Sequence, residues 1–278
     1  MTRKTSLGKA IWTIALIVLA LLSLVPFLWM ISTSLKTRAE VFTYPPLLIP
    51  VHPQWENYLR VFQAFPFARY TLNTAFVTIT VTVLQTLSSA MAAYAFARLS
   101  FPGRDRLFLL YLGTLMIPGV VTLIPSYILM TDKYLNWINT FAALIIPASL
   151  GGAFNTFLIR QFFLSLPREL EDAALMDGAS PFQIFFQITL PLSKSILAIV
   201  GIFAFIGTWN SFLWPLLMMN TPEKQVLTVG LAAMQGRWNT RWPELMAGTL
   251  MSTAPIILLL VLFQNYVEEG LSFTGIKA

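Results

Sequence analysis

The sequence predicts an all-α protein, a polytopic membrane helical bundle with six transmembrane helices. Three observations carry this. Of the 278 residues, 56% are hydrophobic and only 11% are charged, against roughly 25% charged in an average soluble domain. Mean hydropathy is +0.71, and the apolar residues gather into runs of about 20, the length that crosses a bilayer core. Pro26, Pro118, Pro125, Pro147, Pro215 and Pro255 lie inside those runs, where membrane helices tolerate them if neighbouring helices satisfy the freed carbonyls. This composition excludes an ordinary cytosolic enzyme and a disordered chain. With no cysteine, it also excludes a disulfide scaffold, a thiolate nucleophile and a Cys-ligated metal.

The first span runs from about Ile11 to Ile31. It follows Arg3, Lys4 and Lys9, but its apolar run is too long for a signal peptide and no small-residue cleavage pattern follows, so it reads as a retained helix. The second span is Leu72 to Ala97, the third Leu107 to Met130 and the fourth Thr140 to Ile159. Ser195 to Met219 is the fifth and Leu245 to Val267 the sixth. No repeat or soluble domain interrupts them, so residues 1–278 read as a single transmembrane domain.

Charge sets the orientation. The net charge is +6, and cytoplasmic segments of membrane proteins carry the excess of Lys and Arg. With both termini inside, the inner segments hold more than half of the 18 basic residues. Arg98, Arg104 and Arg106 crowd one short inner turn. No basic run or stripe suggests nucleic acid, and the one histidine, His52, sits alone in a Pro-rich stretch.

None of the six spans contains Asp or Glu. Buried ionisable residues mark proton relays and ion-coupling sites, so their absence argues against a proton-driven carrier or an acid–base intramembrane enzyme. The chain has no G-x-x-x-x-G-K-[ST] loop and no G-x-S-x-G elbow. It therefore carries no ATPase site of the common kind and no catalytic constellation. If it drives transport, a partner supplies the energy. The spans do hold uncharged polar groups, notably Asn73, Gln85, Asn155 and Asn210. Gln85 reads best as a helix–helix hydrogen bond.

Between the fourth and fifth spans lies a long inner loop, 165–191. Its first part reads as a short capped helix. Ser165 is placed to cap it and Pro167 falls in the first turn. Glu169, Glu171 and Asp172 are acids at the positive end of the dipole, and Gly178 is placed to stop the helix in the left-handed conformation. Ser180–Pro181 opens a second, apolar helix. From these residues alone the segment reads equally as a docking helix or as an interfacial connector.

The same segment resembles the E-A-A-x-x-x-G signature, ending I-x-L-P, of ATP-binding-cassette (ABC) importer permeases. The matching positions are Asp172, Ala173, Ala174, Gly178, Ile188, Leu190 and Pro191. Asp172 stands where the signature has Glu, with Glu171 just before it. Met116 to Pro125, Thr208 to Leu216 and the tail after Gln264 are similar to maltose-type carbohydrate permeases, closest to the second, six-span subunit. The resemblance implies a coupling helix that docks on an ATPase through Glu171, Asp172, Ala173, Ala174 and Gly178. It implies four kinds of partner: a second permease, two ATPase subunits, an extracytoplasmic solute-binding protein, and a sugar or sugar-like solute. ATP and Mg would be bound by the ATPases, and this chain would need no cofactor or metal. The location implied is a bacterial or archaeal plasma membrane.

A sugar stacks its C–H faces on aromatic rings and needs uncharged donors and acceptors for its hydroxyls. On that ground Phe205, Trp209 and Asn210 of the fifth span, with Asn155 of the fourth, are expected to line the solute path. Phe205 and Trp209 are four apart and share a helix face, with Asn210 about 100° away from Trp209. The outer loop from Asn220 to Glu244 holds Arg237, Trp238, Asn239 and Arg241. Aromatic and Arg side chains are common interface anchors, so these are expected to touch the binding protein. An interfacial Trp/Arg belt is the alternative. A polyol, a glycerol phosphodiester or a compatible solute remains an alternative cargo.

Overall fold

In the computed structural model, residues 4–236 and 240–274 are described, with side chains over 8–236 and 240–266. Along the chain run α1 (Lys4–Ser34), α2 (Arg38–Val41), α3 (Glu56–Ala64), α4 (Phe67–Arg98), α5 (Arg104–Gly113), α6 (Gly119–Met130), α7 (Ala142–Ser149) and α8 (Ala153–Ser165). After them come α9 (Glu169–Met176), α10 (Pro181–Ile184), α11 (Leu190–Leu192), α12 (Lys194–Trp209), α13 (Leu213–Met218), α14 (Leu227–Ala233) and α15 (Trp242–Thr274). No strand occurs among the described residues. Stretches 8–34, 67–98, 142–165 and 242–266 are long and apolar enough to cross a membrane, and two sharply bent pairs bring the number to six if each pair is one span.

The chain separates into two compact units, residues 1–68 with 230–254 and residues 69–229 with 255–278. In the first unit the segment after α1 is tied by polar groups. The buried Asn57 amide donates to Ser34 O at 2.9 Å and Lys36 O at 3.0 Å. Thr37 and Glu40 form a reciprocal cap on α2. Lys36 is enclosed, with Nζ donating to Leu47 O and lying 4.3 Å over the Trp29 ring. That burial lowers its pKa from 10.5, with Glu40 opposing the shift. Gly248 permits a close approach: a Cβ there would stand 2.8 Å from Leu231 Cδ2 and 3.4 Å from Val61 Cγ1.

In the second unit, α4 runs through two apolar cores. Val77 and Val81 pack with Leu144, Met218 and Met219. Ala90, Ala93, Tyr94 and Ala97 pack with Ile159, Phe163, Ile184, Phe185 and Val200. The small side chains of α4 let neighbouring helices come close, which is how membrane helices gain packing contact without a hydrophobic driving force.

Three apolar runs that read as continuous in the sequence are interrupted in the structure. The third bends by 97° between Met116 and Gly119. Ile117 is extended there, as a residue before proline prefers to be. The fourth breaks at Leu150–Gly152. Ser88 Oγ donates to Ser149 O at 2.7 Å and accepts from Gly151 N at 3.0 Å, and the Tyr111 hydroxyl donates to Gly151 O. The freed backbone groups are thus satisfied inside protein, the condition for irregular backbone at membrane depth. The fifth breaks after Trp209, and a first bend of 83° lies just before the run, at Ser193 between α11 and α12. Just before the first bend, a π-helical turn over Phe185–Thr189 precedes Pro191, the usual company of a kink.

Candidate functional site

The loop between α8 and α9 starts differently from the sequence expectation. Ser165 does not cap α9. It ends α8, and its hydroxyl donates to Phe162 O at 2.7 Å. Leu166 is extended because Pro167 follows it, and α9 begins at Glu169 with Arg168 as its first flanking residue and no side-chain cap. Glu169, Glu171 and Asp172 fill the first turn, where they face the exposed N–H groups and the positive dipole end.

The other end of α9 is a Schellman stop. Gly178 lies at φ +82°. Ala179 N donates to Ala174 O at 2.9 Å and Gly178 N donates to Leu175 O at 3.0 Å, so the last carbonyls find partners. Two residues on, Ser180 and Gln183 form a reciprocal capping box with Pro181 in the first turn of α10. Stop and restart are each fixed by local chemistry, which sets the angle between the two helices.

One face of α9 rests on the bundle and the other is open. Ala174 packs against the core under Tyr94 and Phe163. Glu171 turns inward, with Oε1 3.1 Å from Arg98 Nε. Arg98, at the end of α4, also donates from Nη2 to Phe163 O at 2.6 Å and Leu166 O at 2.8 Å. Its side chain is only 3% exposed. Burial pushes the Glu171 carboxyl above the ordinary 4.5, outweighing the pull of the Arg98 and Arg168 guanidiniums; Asp172 adds to the rise. Asp172, Ala173, Leu175 and Met176 are exposed. The two adjacent carboxylates therefore point to different sides, Glu171 to the bundle and Asp172 away from it.

The residues expected along the solute path fall in the same unit. Phe205 and Trp209 stack, with ring centroids 5.5 Å apart and planes 10° from parallel. Trp209 is buried and borders a cavity of about 200 Å³ together with Thr74, Thr78, Thr208, Ser211 and Trp214. No Lys, Arg, Asp or Glu lines that cavity. Asn210 flanks the end of α12 and is exposed, with Nδ2 donating to Ile206 O at 2.9 Å. Asn155 is buried near the break in the fourth run, where its Nδ2 and Gln85 Nε2 flank Gly152. Phe205 and Trp209 thus form a stacked pair, of which Trp209 reaches the cavity, while Asn210 is bonded to its own helix and Asn155 lies at the break of the fourth run.

Of the expected binding-protein contacts, Arg237, Trp238 and Asn239 lie outside the described residues. Arg241 is exposed just before α15.

Two polar hubs were not expected from the sequence. Asn139, at φ +59°, accepts on Oδ1 from Asn220 N, Thr221 N and Thr221 Oγ1, and its own carbonyl accepts from Lys224 Nζ. Asn73 Nδ2 donates to Glu223 O and Gln225 O. An asparagine between two apolar runs was the available signal, since Asn is among the few residues that tolerate positive φ. Arg98 is the other surprise. In the sequence it reads only as an orienting charge.

Known proteins place this architecture. Residues 85–272 match the family described as binding-protein-dependent transport system inner membrane component. The permease protein of the arabinooligosaccharide transport system of Halalkalibacterium halodurans is 35% identical over 281 residues, covering 100% of both chains. The permease protein of the sulfoquinovosyl glycerol transport system of Agrobacterium fabrum is 34% identical, covering 97% of this chain and 94% of the relative. A chain of a bacterial ABC transporter involved in import of the acidic polysaccharide alginate superposes with a TM-score of 0.84 at 26% identity, covering 96% of this chain and 99% of that one. The chain belongs to the family of binding-protein-dependent transport system inner membrane components, and it is a permease subunit of an ABC importer.

Proposed function

We propose that the chain works as one transmembrane domain of six spans and, with a second permease, forms the path for a sugar or sugar-like solute. An extracytoplasmic binding protein delivers the solute, and two ATPase subunits that bind ATP and Mg drive the cycle. The chain itself performs no catalysis and uses no cofactor. It sits in a bacterial or archaeal plasma membrane with both termini on the cytoplasmic side.

The observation that carries this reading is α9. It is a short helix, stopped at one end by Gly178 and packed on the bundle through Glu171 and Ala174. Its open face presents Asp172, Ala173, Leu175 and Met176. Exposed Leu175 and Met176 beside a carboxylate suit a cleft in a soluble partner, so α9 is the coupling helix and Asp172 its outward charge. Arg237, Trp238, Asn239 and Arg241 are assigned to the binding protein.

A carbohydrate cargo is supported by the relatives' arabinooligosaccharide and sulfoquinovosyl glycerol systems. A second reading, a phosphorylated polyol, is supported by 35% identity over 240 residues to the sn-glycerol-3-phosphate permease of Pectobacterium atrosepticum. The uncharged lining around Trp209 favours a neutral solute. The test is to purify the cognate binding protein, measure its affinity for neutral oligosaccharides and for glycerol phosphate, and follow uptake of the better ligand into liposomes carrying the whole importer. Uptake that requires ATP and this chain supports the reading; binding of neither class overturns the cargo assignment.

A further inference from the structure

The cytoplasmic ends of the second, third and fourth apolar runs are joined by two arginines that reach across each other. Arg98 leaves α4 and donates to the last carbonyls of α8, Phe163 O and Leu166 O. Arg160 leaves α8 and donates to Phe96 O of α4 at 3.2 Å, while its guanidinium carbon lies 4.2 Å over the Phe108 ring of α5. The two helix ends are therefore held by guanidinium–carbonyl bonds in both directions. Only Arg98 goes further, with its Nε 3.1 Å from Glu171 of α9.

We propose that Arg98 is a positioning residue for energy coupling: through its pair with Glu171 it holds α9 in a fixed orientation to the bundle, so that motion imposed on α9 moves α4 and α8. The proposal deepens the reading of α9 as the coupling helix and rests on it. Beside this pair Glu171 meets the Thr189 hydroxyl, and the remaining contacts of α9 and its stop with the bundle are small, partly buried apolar groups such as Ala174 and Ala179, which give adhesion but little direction. A planar guanidinium held on two carbonyls is directional. Those two bonds, both from Nη2, fix where the guanidinium charge stands, and Nε meets Glu171 as an ion pair at 3.1 Å. The pair is enclosed, with side-chain exposures of 3% and 15%, so water screens it little.

The role is one of geometry and not of net stability. Taking two charges out of water costs about as much as their attraction returns, and the upward push on the Glu171 carboxyl is the same balance seen from one partner. A group that only stabilised the fold would lower the melting temperature when removed. A group that sets direction lowers the yield of transport per ATP.

The test uses the complete importer. The chain has no cysteine, so nitroxide labels are placed at Glu169→Cys on α9 and Arg106→Cys on α5 and their distance distribution is measured by pulsed EPR. Glu171→Gln removes the pair and leaves Arg98 on Phe163 O and Leu166 O, so the bundle ends stay joined. The expected result is a broadened distribution and a loss of about fivefold or more in solute uptake per ATP hydrolysed, the lower end of ordinary coupling between sites. Glu171→Asp, which keeps the charge, recovers part of both. Arg98→Gln reproduces the Glu171→Gln result. An unchanged distribution, or a broadened one with uptake per ATP intact, overturns the proposal. Asp172→Arg is measured in parallel: ATPase subunits that stay bound to it overturn the docking reading, while the distance measurement still decides the role of Arg98.

Discussion

Gly178 offers a clean perturbation because its two possible costs separate. Its φ is +82°, and a Cβ built on it meets nothing within 4 Å. A side chain there clashes with no neighbour, so the whole penalty is the left-handed backbone. For Ala that is about 1–2 kcal/mol. For Val it is larger, because a β-branched residue at positive φ is a genuine outlier. For Asn it is smaller, since Asn visits this region readily. At about 1.4 kcal/mol per factor of ten, Gly178→Ala shifts the balance between the native stop and competing turns by roughly 5- to 30-fold. The shift weakens the 6→1 bond from Ala179 N to Ala174 O, and α10 leaves at the wrong angle. The assay is affinity purification of the chain from cells expressing the whole importer, scoring ATPase subunits retained and then uptake per ATP in liposomes. Both are expected to fall in the order Asn, Ala, Val. Equal loss in all three, or wild-type behaviour of Gly178→Val, refutes the backbone argument.

The melting temperature of Glu171→Gln relative to the wild-type complex is expected to rise with pH. The sign follows from the raised pKa of Glu171. The contribution of this carboxyl to stability is fully present below the ordinary 4.5 and is lost as pH rises through the higher folded value. The charged and titratable groups facing it are Arg98 and Tyr94 of α4 and Arg168 and Asp172 beside it. The difference in melting temperature between variant and wild type should therefore grow from pH 4.5 upward in thermal scans; a difference that shrinks contradicts it. Asn139→Ala loses a side-chain acceptor for three donors and the residue's tolerance of positive φ, and should cost roughly 1–3 kcal/mol. Asn139→Gly keeps the backbone and should recover part of that in the same denaturation measurement. Trp209→Ala removes the ring stacked on Phe205 and should cost about 3 kcal/mol or more as well as uptake, whereas exposed Asn210→Ala should impair uptake with assembly intact. Unchanged uptake and solute preference in Asn210→Ala would remove the end of α12 from the path.

The parts legible in the sequence are those decided by near neighbours. Apolar runs of span length, the left-handed stop at Gly178, the Ser180–Pro181 restart and the crowding of acids in the first turn of α9 all depend on a few adjacent residues. Ser165 shows the limit of that logic. A serine before Pro167 reads as a cap for the next helix, but the same serine can close the turn behind it, and packing of α8 through Phe163 settles which. The breaks in the third, fourth and fifth runs were hidden because hydropathy averages over about 20 residues and ignores backbone direction. The Gly151 break depends on Ser88 and Tyr111, residues 63 and 40 positions away. Arg98 and Glu171 meet only after two helices have packed. Local periodicity carries no trace of such a pair, so Arg98 read as one of three loop arginines.

The crossed arginines also have a history within the making of the protein. Before α4 and α8 pack, Arg98 and Arg160 are bare charges at helix ends, and a hydrated guanidinium favours the membrane surface over the bilayer core. Once α4 and α8 meet, the same guanidiniums leave water and become donors to Phe163 O, Leu166 O and Phe96 O. One side chain thus acts first as a topological anchor and later as an assembled joint. The order is enforced, because the carbonyl acceptors do not come within reach until the neighbouring helix has been inserted with the right polarity. A helix threaded backwards would bring its arginine to the far side of the membrane, and the joint could not close. A chain in which α4 and α8 fail to meet is left with the Phe163, Leu166 and Phe96 carbonyls without these donors and with Glu171 without its arginine.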